Sequence, residues 1–195
     1  LSVAGLLVEE VGGPGVKPYQ PANIWNEVSL NGGLRYKQDD GEKLYRKSMY
    51  TYWKRSAPMP NMMIFDAPSR EKCVVQRART NTPLQALVTL NDPQFVEAAR
   101  ALASRLIREE VGNEERIDLA YRLTTSRPAN ERETEILLGI LETQRQRFGA
   151  DPQSTEQYLS VGQLKRDDSI DPVEHAAWTV VAQMILNLDE TLSRG

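Results

Sequence analysis

The stretch "RARTNTPLQALVTLNDPQF", residues 77–95, decides the fold, because it contains two helix starts in succession. Thr82 and Gln85 have the spacing of a capping box, and Pro83 suits the first helical position. Asp92 and Pro93 repeat this arrangement before a segment whose apolar residues fall on one helical face. The residues of that face are Phe95, Ala99, Leu102, Ala103 and Leu106. The stretch therefore predicts a short helix followed directly by a longer one.

Similar starting signals recur through the rest of the chain. They are Asn113, Asn130 with Glu133, Asp151-Pro152, and Asp171-Pro172 with Glu174. In the last helix we expect the buried residues to be Trp178, Val181, Ile185 and Leu188. The sequence thus predicts a mainly α fold in one domain, 1–195, with a helical bundle over 83–195 and a loop-rich arm over 1–82.

The arm differs in composition from the bundle. Residues 11–21, "VGGPGVKPYQP", form a predicted loop, because glycine permits unusual backbone angles and proline removes donors. Residues 45–55, "YRKSMYTYWKR", alternate and are rich in aromatics, which favours a short strand or an extended segment. Within residues 56–68 we expect "MMIF" to be buried. We therefore predict an irregular arm, with or without a short strand or hairpin.

Cysteine and histidine usage argues against several classes of site. Cys73 and His175 are the only residues of their types, so the chain has no internal disulfide, no Cys-x-x-Cys-His haem attachment and no Cys/His zinc site. We therefore predict no metal and no cofactor in this chain. His175 is the only possible imidazole base, and its position predicts an ordinary place on a helix face. The start at Leu1, without a leader, suggests a piece of a longer protein.

A group of polar residues near the predicted helix start is the first candidate site. Its members are Asp66, Arg70, Arg77, Arg79, Asn81, Gln85 and Asn91. Because Asp66 follows "MMIF", we expect it to be buried and to need an arginine partner. The prediction is a buried network of Asp66, Arg77, Arg79 and Asn81 that joins arm and bundle. The alternative is that Asp66 and the arginines face a ligand or substrate.

An aromatic and basic patch is the second candidate, and its residues are Tyr50, Tyr52, Trp53, Lys54 and Arg55. Such a mixture stacks on sugars or binds single-stranded nucleic acid. The alternative is that alternate residues are buried while the cations are solvated. Nine basic residues and two acids lie between Lys43 and Arg79, but the net charge of −3 weakens a nucleic-acid role. No apolar run approaches the roughly 20 residues that span a bilayer.

Residues 44–103, "LYRKSMYTYWKRSAPMPNMMIFDAPSREKCVVQRARTNTPLQALVTLNDPQFVEAARALA", resemble the signature of a planctomycete-type C-terminal domain of unknown function. The segments "GLLVEEVGGPGVKPYQP" and "AAWTVVAQMILNLDE" fit the same pattern. The resemblance implies the C-terminal part of a larger domain in exported proteins that also carry cytochrome c-like domains. It places the chain in the periplasm or otherwise outside the cytoplasm, and any haem c belongs to the other domains.

Three functions remain open at this stage. The first is a non-catalytic helical module of an exported, cytochrome c-associated multidomain protein, serving assembly or ligand binding. Its expected partners are the other domains of the parent protein and a carbohydrate. The second is part of a hydrolase-like enzyme acting on polysaccharide, with Asp66 and nearby arginines lining the site. The third, which the net negative charge weakens, is nucleic-acid binding through residues 43–55.

Overall fold

The computed structural model describes residues 1–28, 35–76 and 80–192. Nine α-helices and no β-strand lie in these ranges, so the predicted mainly α fold is confirmed. The helices are α1 (Ile24–Glu27), α2 (Pro60–Ile64), α3 (Pro83–Asn91), α4 (Pro93–Glu109), α5 (Asn113–Thr125), α6 (Glu131–Ala150), α7 (Pro152–Leu159), α8 (Pro172–Leu186) and α9 (Asp189–Leu192). No helix among the described residues is both long and apolar enough to cross a membrane.

The chain divides into two compact units. The helical unit comprises Leu1–Leu6 and Thr89–Gly195, and the smaller unit comprises Leu7–Val88. The sequence predicts the division near residue 82, at the start of α3. The structure places it inside α3, because the first part of this helix carries Gln85, whose side chain bonds to the preceding loop.

The predicted helix starts have the expected hydrogen bonds. The backbone N–H of Gln85 donates to Thr82 Oγ1 at 3.3 Å, and Gln85 Oε1 accepts from Thr82 N–H at 3.1 Å, so the capping box exists. Asn130 and Glu133 form a second capping box. The other three caps are Asp92, Asp151 and Asp171, whose side chains accept from backbone N–H groups of Gln94, Ser154 and Glu174. Only α5 differs, since it begins at Asn113 itself and Gly112 takes the capping position.

Helix α8 forms the centre of the helical unit and packs mainly against α4 and α6. Its side chains Trp178, Val181 and Ile185 are fully buried, as predicted, and they meet Leu102 and Leu106 of α4. Burying each such side chain contributes roughly 1.5–3 kcal/mol. Leu188 is only partly buried and Phe95 is half-buried, because each lies at or beyond a helix end.

The smaller unit is irregular but contains no strand or hairpin among its described residues. Residues 45–55 form part of two 3₁₀ turns, Gly41–Tyr45 and Ser48–Tyr50, and make only isolated parallel bridges. These bridges join Val8 to Arg46 and Val16 to Thr51. A ladder cannot extend from Val16 because Pro14 and Pro18, two residues away on either side, lack the N–H donors of a strand.

The expected burial of "MMIF" is wrong. Met63 is 39% exposed, and Met62, Ile64 and Phe65 are partly exposed. Met59, just before α2, is the methionine that enters the core. Helix α2 has a single turn, so only a residue at its entry reaches the interior of the smaller unit.

Candidate ligand-binding cleft

A cleft of about 400 Å³ lies in the smaller unit, and we call it the Trp25 cleft. Its described lining contains amides, one guanidinium group and two aromatic rings, but no carboxylate. These side chains are Gln20, Asn23, Asn26, Gln38, Arg35, Trp25 and Tyr36. Amides both donate and accept hydrogen bonds, so four of them in one lining can match the hydroxyl groups of a neutral polar ligand.

Three segments hold the cleft in place, because residues 16–18 are bonded to both 36–39 and 50–52. On one side, Lys17 N–H donates to Asp39 Oδ2 at 2.8 Å, and Asp39 N–H donates to the Lys17 carbonyl at 2.9 Å. The Tyr36 hydroxyl donates to the Pro18 carbonyl at 2.5 Å. On the other side, residue 16 exchanges backbone bonds of 2.8 and 2.7 Å with residues 50 and 52. The cleft therefore belongs to a fixed backbone and not to one loop.

The inner wall of the cleft is built around Trp25, which is 7% exposed. The ring of Tyr36 meets it edge-on at 5.3 Å, and the ring of Tyr52 lies 5.8 Å away. Lys54 Nζ stands 4.6 Å from the centroid of the Trp25 ring, a favourable cation–π distance. Burial, with the nearby Asp39 carboxylate, raises the pKa of Tyr36, so its hydroxyl remains a donor at neutral pH.

Several buried polar atoms near this wall make no hydrogen bond to the described residues. They are both amide atoms of Gln20, the indole Nε1 of Trp25 and the Nζ of Lys54. Burying such groups without a partner costs free energy, on the order of 1–3 kcal/mol for a neutral group. Gln20 and Trp25 both line the cleft, so hydrogen-bonding capacity is concentrated beside it.

The aromatic and basic patch of the sequence analysis divides among separate contacts. Tyr52 and Lys54 pack on Trp25, while the ring of Tyr50 lies 4.0 Å from the guanidinium of Arg46. Trp53 faces Arg70 at 5.0 Å, and Arg55 forms two bonds of 2.7 Å to Glu71. The five residues thus do not present one continuous basic surface, and both of their cations, Lys54 and Arg55, are already in contact with other side chains.

Two members of the predicted polar group, Asp66 and Gln85, are connected through one residue in the structure. Asp66 Oδ2 accepts from both the backbone N–H and the hydroxyl of Thr80 at 2.8 Å. The buried amide of Gln85 donates to Thr80 Oγ1 at 3.1 Å and to the Ile64 carbonyl at 2.9 Å. Asp66 and Gln85 therefore meet at Thr80, a residue that the sequence analysis did not select.

The expectation that Asp66 is buried is wrong. It has a left-handed backbone, φ 57°, at the turn after α2, and this turn leaves its carboxylate partly exposed. Arg70 does not pair with Asp66; its guanidinium group lies over the ring of Trp53 instead. Asn81 and Asn91 are exposed. Arg77 and Arg79 lie outside the described residues, so their part in the network stays a prediction.

His175 lies on the buried face of α8 and is 0% exposed. Its Nε2 stands 2.9 Å from Ser104 Oγ and 3.2 Å from the Arg100 carbonyl, whereas Nδ1 has no partner among the described residues. Burial lowers the pKa of His175, so the ring is neutral near pH 7. A catalytic triad requires an acid at Nδ1 to orient the base, so the pair of Ser104 and His175 lacks that arrangement.

Metal-binding groups are similarly sparse. In the described ranges no three His, Cys, Asp or Glu side chains are grouped to hold a metal ion. Cys73 is exposed and has a free thiol. The predicted absence of a metal and a cofactor stays a prediction, to be tested by metal analysis and a visible absorption spectrum.

Gln20, Trp25 and Tyr36 were not predicted from the sequence as site residues, although all three line the Trp25 cleft. Gln20 lies in the proline-rich segment of residues 11–21, which is typical of a plain loop, and Trp25 follows that segment in the single turn of α1. The available signal was this tryptophan, since so large an apolar side chain must pack against something.

The family model PSD1, described as "Protein of unknown function (DUF1553)", matches residues 1–141. This range includes every residue of the Trp25 cleft and ends within α6. No curated protein and no solved structure matches the chain.

Proposed function

We propose that this chain, which belongs to the PSD1 family of proteins of unknown function (DUF1553), is a non-catalytic helical module that binds a neutral carbohydrate in the Trp25 cleft. The observation that carries the proposal is the lining of that cleft, with four side-chain amides, one arginine, two aromatic rings and no carboxylate among its described residues. Ligand binding, and not turnover, is the activity that this lining supports.

The chemistry of a sugar matches this lining. Each sugar hydroxyl both donates and accepts, and so does each side-chain amide, while Arg35 adds a planar set of donors. The exposed amides of Asn23 and Asn26 are joined by a 3.1 Å bond, which fixes their orientation at the rim. Tyr36 supplies part of an aromatic face for the C–H groups of a sugar ring.

Hydrolysis of polysaccharide is less well supported than binding. Most glycosidases use a pair of carboxylates on either side of the scissile bond. The described lining of the Trp25 cleft has none, and Asp66 does not line it. Asp66 instead fixes the turn at Thr80. The same engagement of charges, at Arg55 and Lys54, argues against nucleic-acid binding through residues 43–55.

The cellular context is a separate part of the proposal. We place the module in a large exported protein that also carries cytochrome c-like domains, so that haem c and redox chemistry belong to other domains. The support for this context is the resemblance of residues 44–103 to a planctomycete-type C-terminal domain of unknown function. The full parent sequence tests it: an upstream signal peptide and a Cys-x-x-Cys-His motif are expected, and the absence of both would contradict this context.

Binding is tested on the intact 195-residue chain by calorimetric titration with neutral hexaoses of glucose, xylose, mannose and N-acetylglucosamine. We expect at least one to bind, and Gln38→Ala to weaken it about tenfold or more, equivalent to about 1.4 kcal/mol. Gln153→Ala, at an exposed glutamine of α7, is the matched control and should leave binding unchanged. Equal effects of the two variants would contradict the assignment of the site.

A further inference from the structure

A second cleft, of about 670 Å³, lies wholly within the helical unit, and we call it the Lys165 cleft. One wall is a face of α4 that carries Ser104, Arg105 and Arg108. The opposite wall is the loop of residues 164–168 between α7 and α8. The lining also includes the carboxylate of Glu109 and the small or apolar residues Ala4, Gly5, Leu6, Ala101 and Leu164. Its volume is within the roughly 300–1,000 Å³ typical of small-molecule sites.

The loop wall is held by two buried charged residues of α4. Glu97 is 0% exposed and accepts from the Leu164 N–H, while Arg100 is 2% exposed and donates to the carbonyls of Leu159 and Leu164. Gly162 fits here because its φ is +88° and a Cβ would stand 2.5 Å from Glu97 Oε1. Burying charges costs free energy. Here the bonds of the two buried charges fix the backbone just before Lys165. The wall is therefore rigid before any ligand arrives.

Among the described charged side chains that line the cleft, every cation except Lys165 has an acidic partner. Arg105 bonds Glu109 at 2.8 Å, Arg108 bonds Asp167, and Arg166 bonds Asp168 at 3.1 Å and also Glu156 outside the cleft. Bonds from the hydroxyl and N–H of Ser169, together with Arg108, lower the pKa of Asp167 to about 2, so this acid stays ionised. Lys165 is exposed and has no partner among the described residues.

Unused N–H donors on Arg105 and Arg108 also favour a negatively charged ligand. A guanidinium group has five N–H donors, and the bonds above use only some of those on Arg105 and Arg108. Of the described residues, four cations, including Lys165, and three acids line the cleft, so its lining has a net positive charge beside apolar side chains, which we call the apolar floor. One uncompensated positive charge above apolar carbon suits a ligand with one negative charge and an apolar body.

We propose that the Lys165 cleft binds a small organic monocarboxylate, with its carboxylate at Lys165 and its apolar body against Ala4, Leu6, Ala101 and Leu164. This site is independent of the Trp25 cleft, since all of its lining lies in the helical unit.

The test is a titration of the intact chain, followed by amide NMR, with three probes. Benzoate has both the charge and the apolar ring, benzyl alcohol has the ring alone, and inorganic phosphate has charge alone. We expect benzoate to bind with the largest shifts at residues 101–108 and 164–168, and at least about fivefold more tightly than either other probe. Lys165→Gln should remove this preference, while Lys47→Gln, at an exposed lysine of the smaller unit, should not.

The outcomes separate cleanly. Preference for benzoate that Lys165→Gln abolishes and Lys47→Gln preserves supports the proposal. Equal binding of benzoate and benzyl alcohol would remove the role of charge, and equal binding of phosphate would remove the role of the floor. Either result, or no benzoate shifts at the named residues, overturns the proposal.

Discussion

In the helical unit the buried charges of Glu97 and Arg100 are bonded to backbone groups of one loop, whereas in the smaller unit the buried amide of Gln20 and the indole Nε1 of Trp25 have no partner among the described residues. Both arrangements place polar atoms away from water. The first uses them to fix the protein to itself, and the second leaves hydrogen-bonding capacity beside a cleft.

Two of the three tryptophans, Trp178 and Trp25, show the same difference. The indole N–H of Trp178 donates to Glu174 at 2.9 Å, and Arg145 holds that carboxylate through bonds of 2.6 and 2.7 Å. Burial raises the pKa of Glu174, but the bonds from Arg145 and Trp178 outweigh it and the net pKa is lowered. Since unfolding free energies are only about 5–15 kcal/mol, an unpaired buried group is a sizeable cost, and the indole of Trp25 carries it where that of Trp178 does not.

The largest expected effect is the loss of Arg100. Arg100→Leu leaves Glu97 buried without its neighbouring charge and frees two carbonyls, so the free energy of unfolding should fall by about 3–5 kcal/mol. Urea denaturation measures this. The control is Arg122→Leu, which removes an exposed pair with Asp118 and should cost less than about 1 kcal/mol. Similar losses in both variants would show that the buried bonds do not hold the loop.

The next largest effect is expected at Gly162, and the same substitution at Gly139 should change the stability in the opposite direction. Gly162→Ala places a Cβ against Glu97 at a φ of +88°, so a loss of about 1–3 kcal/mol is expected. Gly139→Ala, on α6 with open space around it, should instead stabilise by roughly 0.5–1 kcal/mol. Thermal unfolding of both variants checks the prediction, and a stabilised Gly162→Ala would be inconsistent with a rigid loop.

Substitution of Trp178 and of Trp25 by phenylalanine compares a bonded indole N–H with an unbonded one. Trp178→Phe removes a hydrogen bond to a charged group, worth about 1.5–3 kcal/mol, while Trp25→Phe removes an N–H that has no partner in the described part of the chain. We expect Trp178→Phe to be the more destabilising by at least about 1 kcal/mol in urea denaturation. The reverse order would mean that the indole of Trp25 has a structural bond.

The smallest effect is a pH dependence at His175. Its pKa in the folded chain is lowered by burial, so it contributes stability that is complete above the unfolded value of about 6.5 and is lost as the pH falls below it. The free energy of unfolding should therefore decrease between about pH 7 and pH 5. His175→Gln should remove most of that slope. An unchanged slope in the variant would assign it to other groups.

The helical part of the fold could be predicted because its signals are local. A cap such as Asp92 acts on the next turn, and an apolar face such as Leu102 with Leu106 shows directly in the spacing. The boundary inside α3 could not be predicted from the caps, because it depends on where Gln85 bonds in three dimensions.

The candidate sites were predictable only in part, because a site depends on contacts between distant segments. Asp66 and Gln85 both belong to the polar group selected from the sequence, but their meeting point at Thr80 follows from a turn with positive φ. The Trp25 cleft joins residues 20–26 with 35–38 and packs on Tyr52, and no local pattern encodes that meeting.

The most direct test of the account follows the indole N–H signals of Trp25 and Trp178 by NMR while the four neutral hexaoses are added to the intact chain. Each signal is assigned from the matching Trp→Phe variant. The account predicts that a binding hexaose moves the Trp25 signal and leaves the Trp178 signal in place, because only Trp25 lines the Trp25 cleft and keeps its N–H unbonded among the described residues. An unmoved Trp25 signal at saturating sugar, or a shift of Trp178 alone, would contradict it.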